Sequence, residues 1–432
     1  MILHDPFDIN EKGRLTVAGY DAVELAERFG TPAFIIDEGK IRAACREYRA
    51  AFSEYFGGGS RPVYAGKALC FTGLYRVMRE EGMAADCVSS GEIATALKAG
   101  FPMEDVFFHG NNKTDDDIRY AIASGVGYFV ADGEEELYAI DREAKEAGTV
   151  QKILLRITPG IDPHTHKKII TGNVDSKFGS AISTGRAAEV VDAALSLHNI
   201  ELSGFHCHVG SQIFEPDPFC DAASIMMKFI AEMKKDHGYT GTILNLGGGF
   251  GVRYTEDDPE ISYGDNIKAI ADVIKDAAKR YMIDLPAVLM EPGRSIVAAA
   301  GATLYTVGSV KEIPGFRNYV SIDGGMTDNP RYTLYGSKYT VVNASRASLP
   351  ADFEITLAGR CCESGDLIAE GVKIAKPRRG DVVAVLVTGA YNYSMASNYN
   401  RVPRPPVIMI GGDGPRVAVR RETREDITAL DE

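Results

Sequence analysis

At 432 residues the chain is long enough for two or three domains and a sizeable core. Its 47 Lys plus Arg against 60 Asp plus Glu leave a net charge of −13, which excludes nucleic acid as the main partner, because phosphate contacts need a basic surface. Seven scattered cysteines, odd in number and without a CxxC pair, argue for free thiols in a reducing cytoplasm rather than a disulfide framework.

In chain order, the opening MILHDPFDINEKG is polar and charged, so no secretory leader is expected, and about the first 36 residues, with TPAFIIDE, read as strand. From about residue 60 to 300, short apolar runs alternate with helical patterns. The runs are PVYA (62–65), AADCV (84–88), VFFH (106–109), YFVA (128–131), ILLRIT (153–158), SGFHCHV (203–209), ILNLG (243–247) and AVLME (287–291). Between them lie patterns such as TDDDIRYAIASG, opened by Thr114 and closed by Gly125, and YGDNIKAIADVIKDAAKRY, with apolar residues at helical spacing. Eight βα units without a long polar linker predict a closed parallel (β/α)8 barrel over residues 37–300. The longest uncharged apolar stretch, about Ser295 to Val310, is broken by Gly301 and Gly308 and is too short to span a bilayer, so no membrane partner is expected. Beyond it, β-branched runs separated by Gly, Pro, Asn and Asp, from TLYTVGSVKEI to RVAVRRE, predict an antiparallel β domain, sandwich- or barrel-like, built from residues 301–432 and 1–36.

In such a barrel the active site lies at the carboxyl ends of the strands, so the residues just after each run carry the chemistry. The first strand leads into Lys67, the second into Asp86, the third into His109; the sixth ends in HCHVGS, the seventh in GGGFG and the eighth in EPGR. Alone, Lys67 also reads as a solvated loop lysine; in this company it reads as a partly desolvated amine able to hold an aldehyde cofactor as a Schiff base. Gly247, Gly248, Gly249 and Gly251 come after strand seven, where backbone N–H groups can close around a phosphate, although a glycine run is often only a turn. Pro292, Gly293 and Arg294 stand on the neighbouring loop. Glu291 fits either a structural ion pair or the partner that keeps a pyridine nitrogen protonated. Together these residues point to pyridoxal 5'-phosphate. His206 and His208 form an HxH that could ligate metal, but with eight histidines in all and no acid or histidine set grouped with the pair, no metal is expected and His208 reads as a residue stacked on the cofactor ring.

YAGKA, HCHVGSQ, GGGFG, EPGR, SIDGGMTDNPR, CCESGD and GAYNYSMASNYNRVPRP, in this order from about residue 30 to 410, resemble the diaminopimelate decarboxylases. These belong to the barrel-plus-β-domain class of pyridoxal-phosphate enzymes that also holds ornithine decarboxylases and alanine racemases. CCESGD and YSMASNYN carry the resemblance most specifically. It implies that Lys67 is the Schiff-base lysine, His208 the histidine over the ring, and Glu291 the ring-nitrogen partner. Ser211, Gly247 to Gly249, Gly251 and the backbone after Glu291 would cradle the phosphate. Tyr391 would touch cofactor and substrate; Arg294, Arg331, Tyr335 and Glu363 would hold the substrate's distant amino-acid end; Cys362 would return the proton. Pro330 precedes Arg331 where the family pattern has it following.

The resemblance further implies a homodimer with shared active sites and decarboxylation of meso-2,6-diaminopimelate to L-lysine and CO2, the last step of lysine biosynthesis. A decarboxylase or racemase of another amino acid on the same scaffold, and a non-catalytic pyridoxal-phosphate binder, remain as alternatives.

Overall fold

The computed structural model of the chain describes residues 3–160 and 176–432, which divide into two compact units: Met1–Ala43, Val252–Pro259 and Arg294–Glu432 in the first, and Ala44–Gly251 with Glu260–Gly293 in the second. The chain opens with a small antiparallel sheet of β1 (Phe7–Ile9), β2 (Leu15–Val17) and β3 (Tyr20–Asp21). Contrary to the expectation of continuous strand, Ala22–Phe29 is helix α1. Asp21 caps it by accepting the N–H groups of Val23 (2.8 Å) and Glu24 (3.2 Å), and Ala22, Val23, Leu25 and Ala26 are buried at helical spacing. The Asp cap and the closing Gly30 are the sequence signals of this helix. β4 (Ala33–Asp37) and α2 (Glu38–Tyr55) come next.

The second unit is the barrel. Its strands are β5 (Arg61–Ala65), β6 (Ala84–Cys87), β7 (Val106–Phe108), β8 (Tyr128–Ala131) and β9 (Gln151–Thr158), which the short β10 (Ser180–Ala181) flanks, then β11 (Ile200–His206), β12 (Ile243–Asn245) and β13 (Ala287–Met290). All pair parallel, and β13 returns to β5 through Leu289↔Arg61 and Met290↔Pro62, so eight strands close as expected. Between them run α3 (Thr72–Glu80), α4 (Ser90–Lys98), α5 (Asp115–Ala123), α6 (Glu134–Glu146), α7 (Arg186–Ser196), α8 (Asp217–His237) and α9 (Tyr263–Tyr281). Thr114 and Asp117 form a reciprocal capping box on α5, and Ser262 caps α9. α9 buries Ile267, Ile270, Ala271 and Ile274 along one stripe; each buried Ile contributes roughly 1.5–3 kcal/mol. Val63, Ala84, Phe107, Val130, Leu154 and Leu289, one from each of six strands, form a buried cluster, so the barrel is packed and chemistry is confined to its loops.

The rest of the first unit is β14 (Gly301–Ile313), β15 (Arg317–Ile322), β16 (Val341–Asn343), β17 (Phe353–Ala358), β18 (Leu367–Ile374), β19 (Val382–Leu386), β20 (Val407–Gly411) and β21 (Gly414–Val419). Most pairings are antiparallel; β4–β20 and β15–β17 are parallel. β4 lies between β14 and β20, which makes the N-terminal segment part of this sheet. Among the described residues no helix is long and apolar enough to cross a membrane.

Candidate functional site

Three neighbouring barrel strands, β12, β13 and β5, end in the glycine run, in Glu291 and in Lys67. Lys67 sits in a single 3-10 turn, Gly66–Ala68, and the Tyr64 hydroxyl ties that turn to its strand by donating to the Leu69 carbonyl at 2.7 Å. Gly66 and Ala68 are buried while Lys67 is exposed, so the desolvated amine anticipated from the sequence is corrected. What sets this lysine apart is a rigid base at the carboxyl end of the barrel. Its charge reaches Asp86, Glu92 and His208.

The glycine run is shaped by close approach. A Cβ on Gly248 would stand 2.0 Å from the Glu291 carbonyl oxygen, and one on Gly247, whose φ is +68°, would stand 2.7 Å from His208 Nδ1. The Ile213 N–H donates to the Gly249 carbonyl (3.0 Å), and the Gly251 N–H donates back to Ile213 (2.8 Å). The run is thereby stitched to the loop after β11 that carries Ser211. Glu291 donates its N–H to the Gly247 carbonyl (2.8 Å), and Pro292 accepts from the Ala65 N–H (3.1 Å), so the loops after β12, β13 and β5 form one frame.

Glu291 is buried, yet among the described residues polar groups surround it. Asn245 Nδ2 donates to Oε1 at 2.7 Å, while Asn245 Oδ1 accepts from the Gly247 N–H at 2.9 Å. His109 Nε2 stands 3.0 Å and His206 Nε2 3.3 Å from Oε1. Burial alone would raise the Glu291 pKa; His109 and His206 outweigh it and hold the carboxyl well below its ordinary range. Asp86, 3.9 Å from His109 Nε2, is pushed the other way, by burial and by the charge of Glu291. Two buried carboxyls are thus driven apart, Glu291 toward the anion and Asp86 toward the acid. His206 is lowered to about 4 by burial and stays neutral.

The HxH does not act as a pair of ligands on one strand face. β11 ends at His206, so strand alternation no longer governs His208. His206 faces Glu291, whereas His208 Nδ1 accepts the Gly248 N–H at 3.2 Å, which leaves Nε2 to carry the proton of the neutral ring. Burial, with Lys67 and Arg156 adding, holds His208 well below its ordinary pKa. The expectation that no acid or histidine is grouped with this motif is also corrected, since the fold brings His109 and Glu291 to His206. The placing of His109, His206 and Asn245 around Glu291 is what sequence reasoning missed. Only their places just after strands, or at a strand's end, could have pointed to them.

The remaining expected residues lie in the first unit. Helix α10 (Arg294–Val297) starts with buried Arg294, whose Nη1 donates to the Tyr254 hydroxyl at 2.6 Å and whose guanidinium lies 4.8 Å from the centre of the Tyr391 ring. Pro330 caps α11 (Arg331–Tyr335), so its place before the arginine starts a short helix. Arg331 is 9% exposed, with its guanidinium 5.1 Å from the Tyr335 ring and 5.2 Å from the Tyr391 ring. Its Nε meets no hydrogen-bond partner among the described residues. Tyr391 holds a left-handed φ of +62°, a conformation that costs a non-glycine residue on the order of 1–3 kcal/mol. Cys362 and Glu363 are exposed on a loop that buried Asp366 anchors, accepting from Met326 N (2.6 Å) and Cys361 N (2.7 Å). Cys362 N donates to Asn400 Oδ1 at 2.8 Å. The structure therefore brings Lys67, His208, Glu291 and the glycines together in one unit, and Arg294, Arg331, Tyr335 and Tyr391 together in the other.

A family model described as "Pyridoxal-dependent decarboxylase, pyridoxal binding domain" matches residues 38–298. The diaminopimelate decarboxylase of Bacillus subtilis is 43% identical over 431 residues, covering 100% of this chain and 98% of its own. That of Staphylococcus aureus is 43% identical over 423 residues, covering 98% of each. A crystal structure of diaminopimelate decarboxylase from M. jannaschii in complex with L-lysine matches with a TM-score of 0.91 at 34% identity, covering 99% of this chain and 98% of that one. The barrel, its lysine and its buried glutamate thus stand in a chain that belongs to the diaminopimelate decarboxylase family of pyridoxal-dependent decarboxylases.

Proposed function

We propose that this chain decarboxylates meso-2,6-diaminopimelate to L-lysine and CO2 with pyridoxal 5'-phosphate as cofactor, as the last step of lysine biosynthesis. The barrel loops fit that group: a glycine run set so close to the loop after β13 that a Cβ on Gly248 would meet the Glu291 carbonyl oxygen, and a buried carboxyl held as the anion. When bound, the pyridoxal ring supplies an electron sink at the substrate's α-carbon. Lys67 Nζ would hold the cofactor's aldehyde carbon, and Glu291 would hold its ring nitrogen. His208 would pack on the ring, and its depressed pKa keeps it neutral beside Lys67. Ser211, Gly247, Gly248, Gly249, Gly251 and the backbone of Pro292, Gly293 and Arg294 would hold the phosphate.

The observation that carries the substrate is Arg331, a buried cation whose Nε has no hydrogen-bond partner among the described residues. A distal carboxylate would satisfy it bidentately, which a plain diamine precursor cannot do. Arg294, Tyr335 and Tyr391 orient the same end, and Glu363 pairs the distal ammonium. Cys362 Sγ returns a proton to the former α-carbon. Cys362 and Glu363 are exposed, and we assign them to the site of a second copy in a homodimer. The seven free cysteines suit a reducing cytoplasm. The test is CO2 release from a panel of amino acids: meso-diaminopimelate should turn over, and L-lysine and L-ornithine should react poorly. Comparable kcat/KM for ornithine would favour another decarboxylase on this scaffold.

A further inference from the structure

We propose that His109, His206 and Glu291 form a three-residue transition-metal site in the cofactor-free protein, and that Zn2+ or Co2+ there and pyridoxal phosphate exclude one another. The donor atoms are already spaced for it. His109 Nε2 and His206 Nε2 lie 3.0 and 3.3 Å from Glu291 Oε1. Ligands about 2.0–2.1 Å from a tetrahedral zinc stand about 3.3 Å from one another, close to the distance each histidine keeps from Glu291, and the three donor atoms all lie within 4.8 Å of one another. Asp86 Oδ1, His109 Nε2 and His206 Nδ1 are buried and satisfy no hydrogen bond of good geometry.

The donor set selects the ion. Imidazole with carboxylate suits zinc, cobalt and iron, whereas magnesium and calcium favour oxygen cages. Each imidazole presents Nε2 to the metal by carrying its proton on Nδ1. Asn245 Nδ2, 2.7 Å from Glu291 Oε1, orients the carboxylate from behind. Among the described residues, Arg156 and Lys67 put positive charge on the cluster. The Glu291 carboxylate in direct contact with the cation counters it. The exclusion rests on the reading of Glu291 as the ring-nitrogen partner, since a carboxylate bound to metal cannot also serve the ring.

The experiment titrates protein stripped of cofactor with Co2+ and follows the visible absorption together with bound metal by equilibrium dialysis. One Co2+ per chain with intense tetrahedral bands is expected. His206→Gln and His109→Gln, each checked for folding by circular dichroism, should weaken binding at least 100-fold, and Cys361→Ser/Cys362→Ser should leave it unchanged. No binding to folded protein, or loss of the bands only in the cysteine variant, would overturn the metal site without touching the decarboxylase reading. Adding pyridoxal phosphate should discharge the bands and release Co2+. Metal that depends on His206 but stays bound, with cofactor affinity unaltered, would overturn the exclusion and with it the role given to Glu291.

Discussion

Gly248→Ala tests whether the backbone frame around the glycine run is what holds the phosphate. A Cβ there would stand 2.0 Å from the Glu291 carbonyl oxygen and 2.9 Å from its carbon, some 1.4 Å inside the 3.4 Å at which ordinary contact begins. Both colliding atoms are backbone of β13's loop, which Gly247 and Ala65 already pin through hydrogen bonds, so the glycine run has to retreat. Overpacking of this kind costs roughly 1–3 kcal/mol of stability. The retreat also draws Gly248 N–H from His208 Nδ1 and moves Gly247 and Gly249 away from the phosphate. Losing one charge-assisted hydrogen bond, about 1.5–3 kcal/mol, weakens cofactor affinity by roughly 10- to 100-fold. Urea unfolding of the cofactor-free protein measures the first effect, and absorbance titration with pyridoxal phosphate the second. Gly264→Ala, where an added Cβ meets nothing within 4 Å, is the matched control and should be neutral or slightly stabilising. If Gly248→Ala binds pyridoxal phosphate within about twofold of wild type, the cradle assignment is wrong.

Arg331→Ala should lower kcat/KM for meso-diaminopimelate by about 2–5 kcal/mol, or roughly 30- to 5,000-fold, with cofactor absorbance unchanged; a loss below tenfold would separate Arg331 from the substrate. Because His206 is lowered to about 4 in the fold against about 6.5 when unfolded, the unfolded chain binds the extra proton first, so stability is full above pH 6.5 and falls as pH drops toward 4. The fall from this group is about 3 kcal/mol, and His206→Gln should flatten that part of a pH series of denaturation midpoints. If Lys67→Ala and Cys362→Ala homodimers are each inactive, reassembling an equal mixture should restore roughly a quarter of wild-type activity, since half the dimers then carry one intact site; no recovery despite exchange verified by mass would place both residues in the same chain's site.

Much of this arrangement was legible because strand ends in a parallel barrel converge. Lys67, the glycine run and Glu291 could each be placed from a short apolar run and the residues at its carboxyl end, and all three stand on adjacent strands. The surroundings of Glu291 were not legible. His109 and His206 come from strands separated by long stretches of chain, and neither has a local pattern distinguishing a ring that faces a carboxylate from one that packs in a core. The different surroundings of His206 and His208 were not legible either, because alternation holds only within a strand, and β11 stops at its first histidine. Helix α1 was hidden by its brevity, despite the Asp21 cap.

Barrel closure through Leu289↔Arg61 and Met290↔Pro62 has a consequence for how the protein is made. Lys67 and Glu291 are carried by the first and last barrel strands, so no partly synthesised chain possesses both until nearly the whole barrel has emerged. Such contacts between sequence-distant strands form slowly, because loop-closure entropy is lost before pairing offsets it. A ligand that needs both ends therefore binds only the closed ring and adds RT ln(1 + [L]/Kd) to it, about 2.7 kcal/mol at a hundredfold excess over Kd. Cofactor supplied during expression should therefore raise the yield of closed barrels as well as their activity.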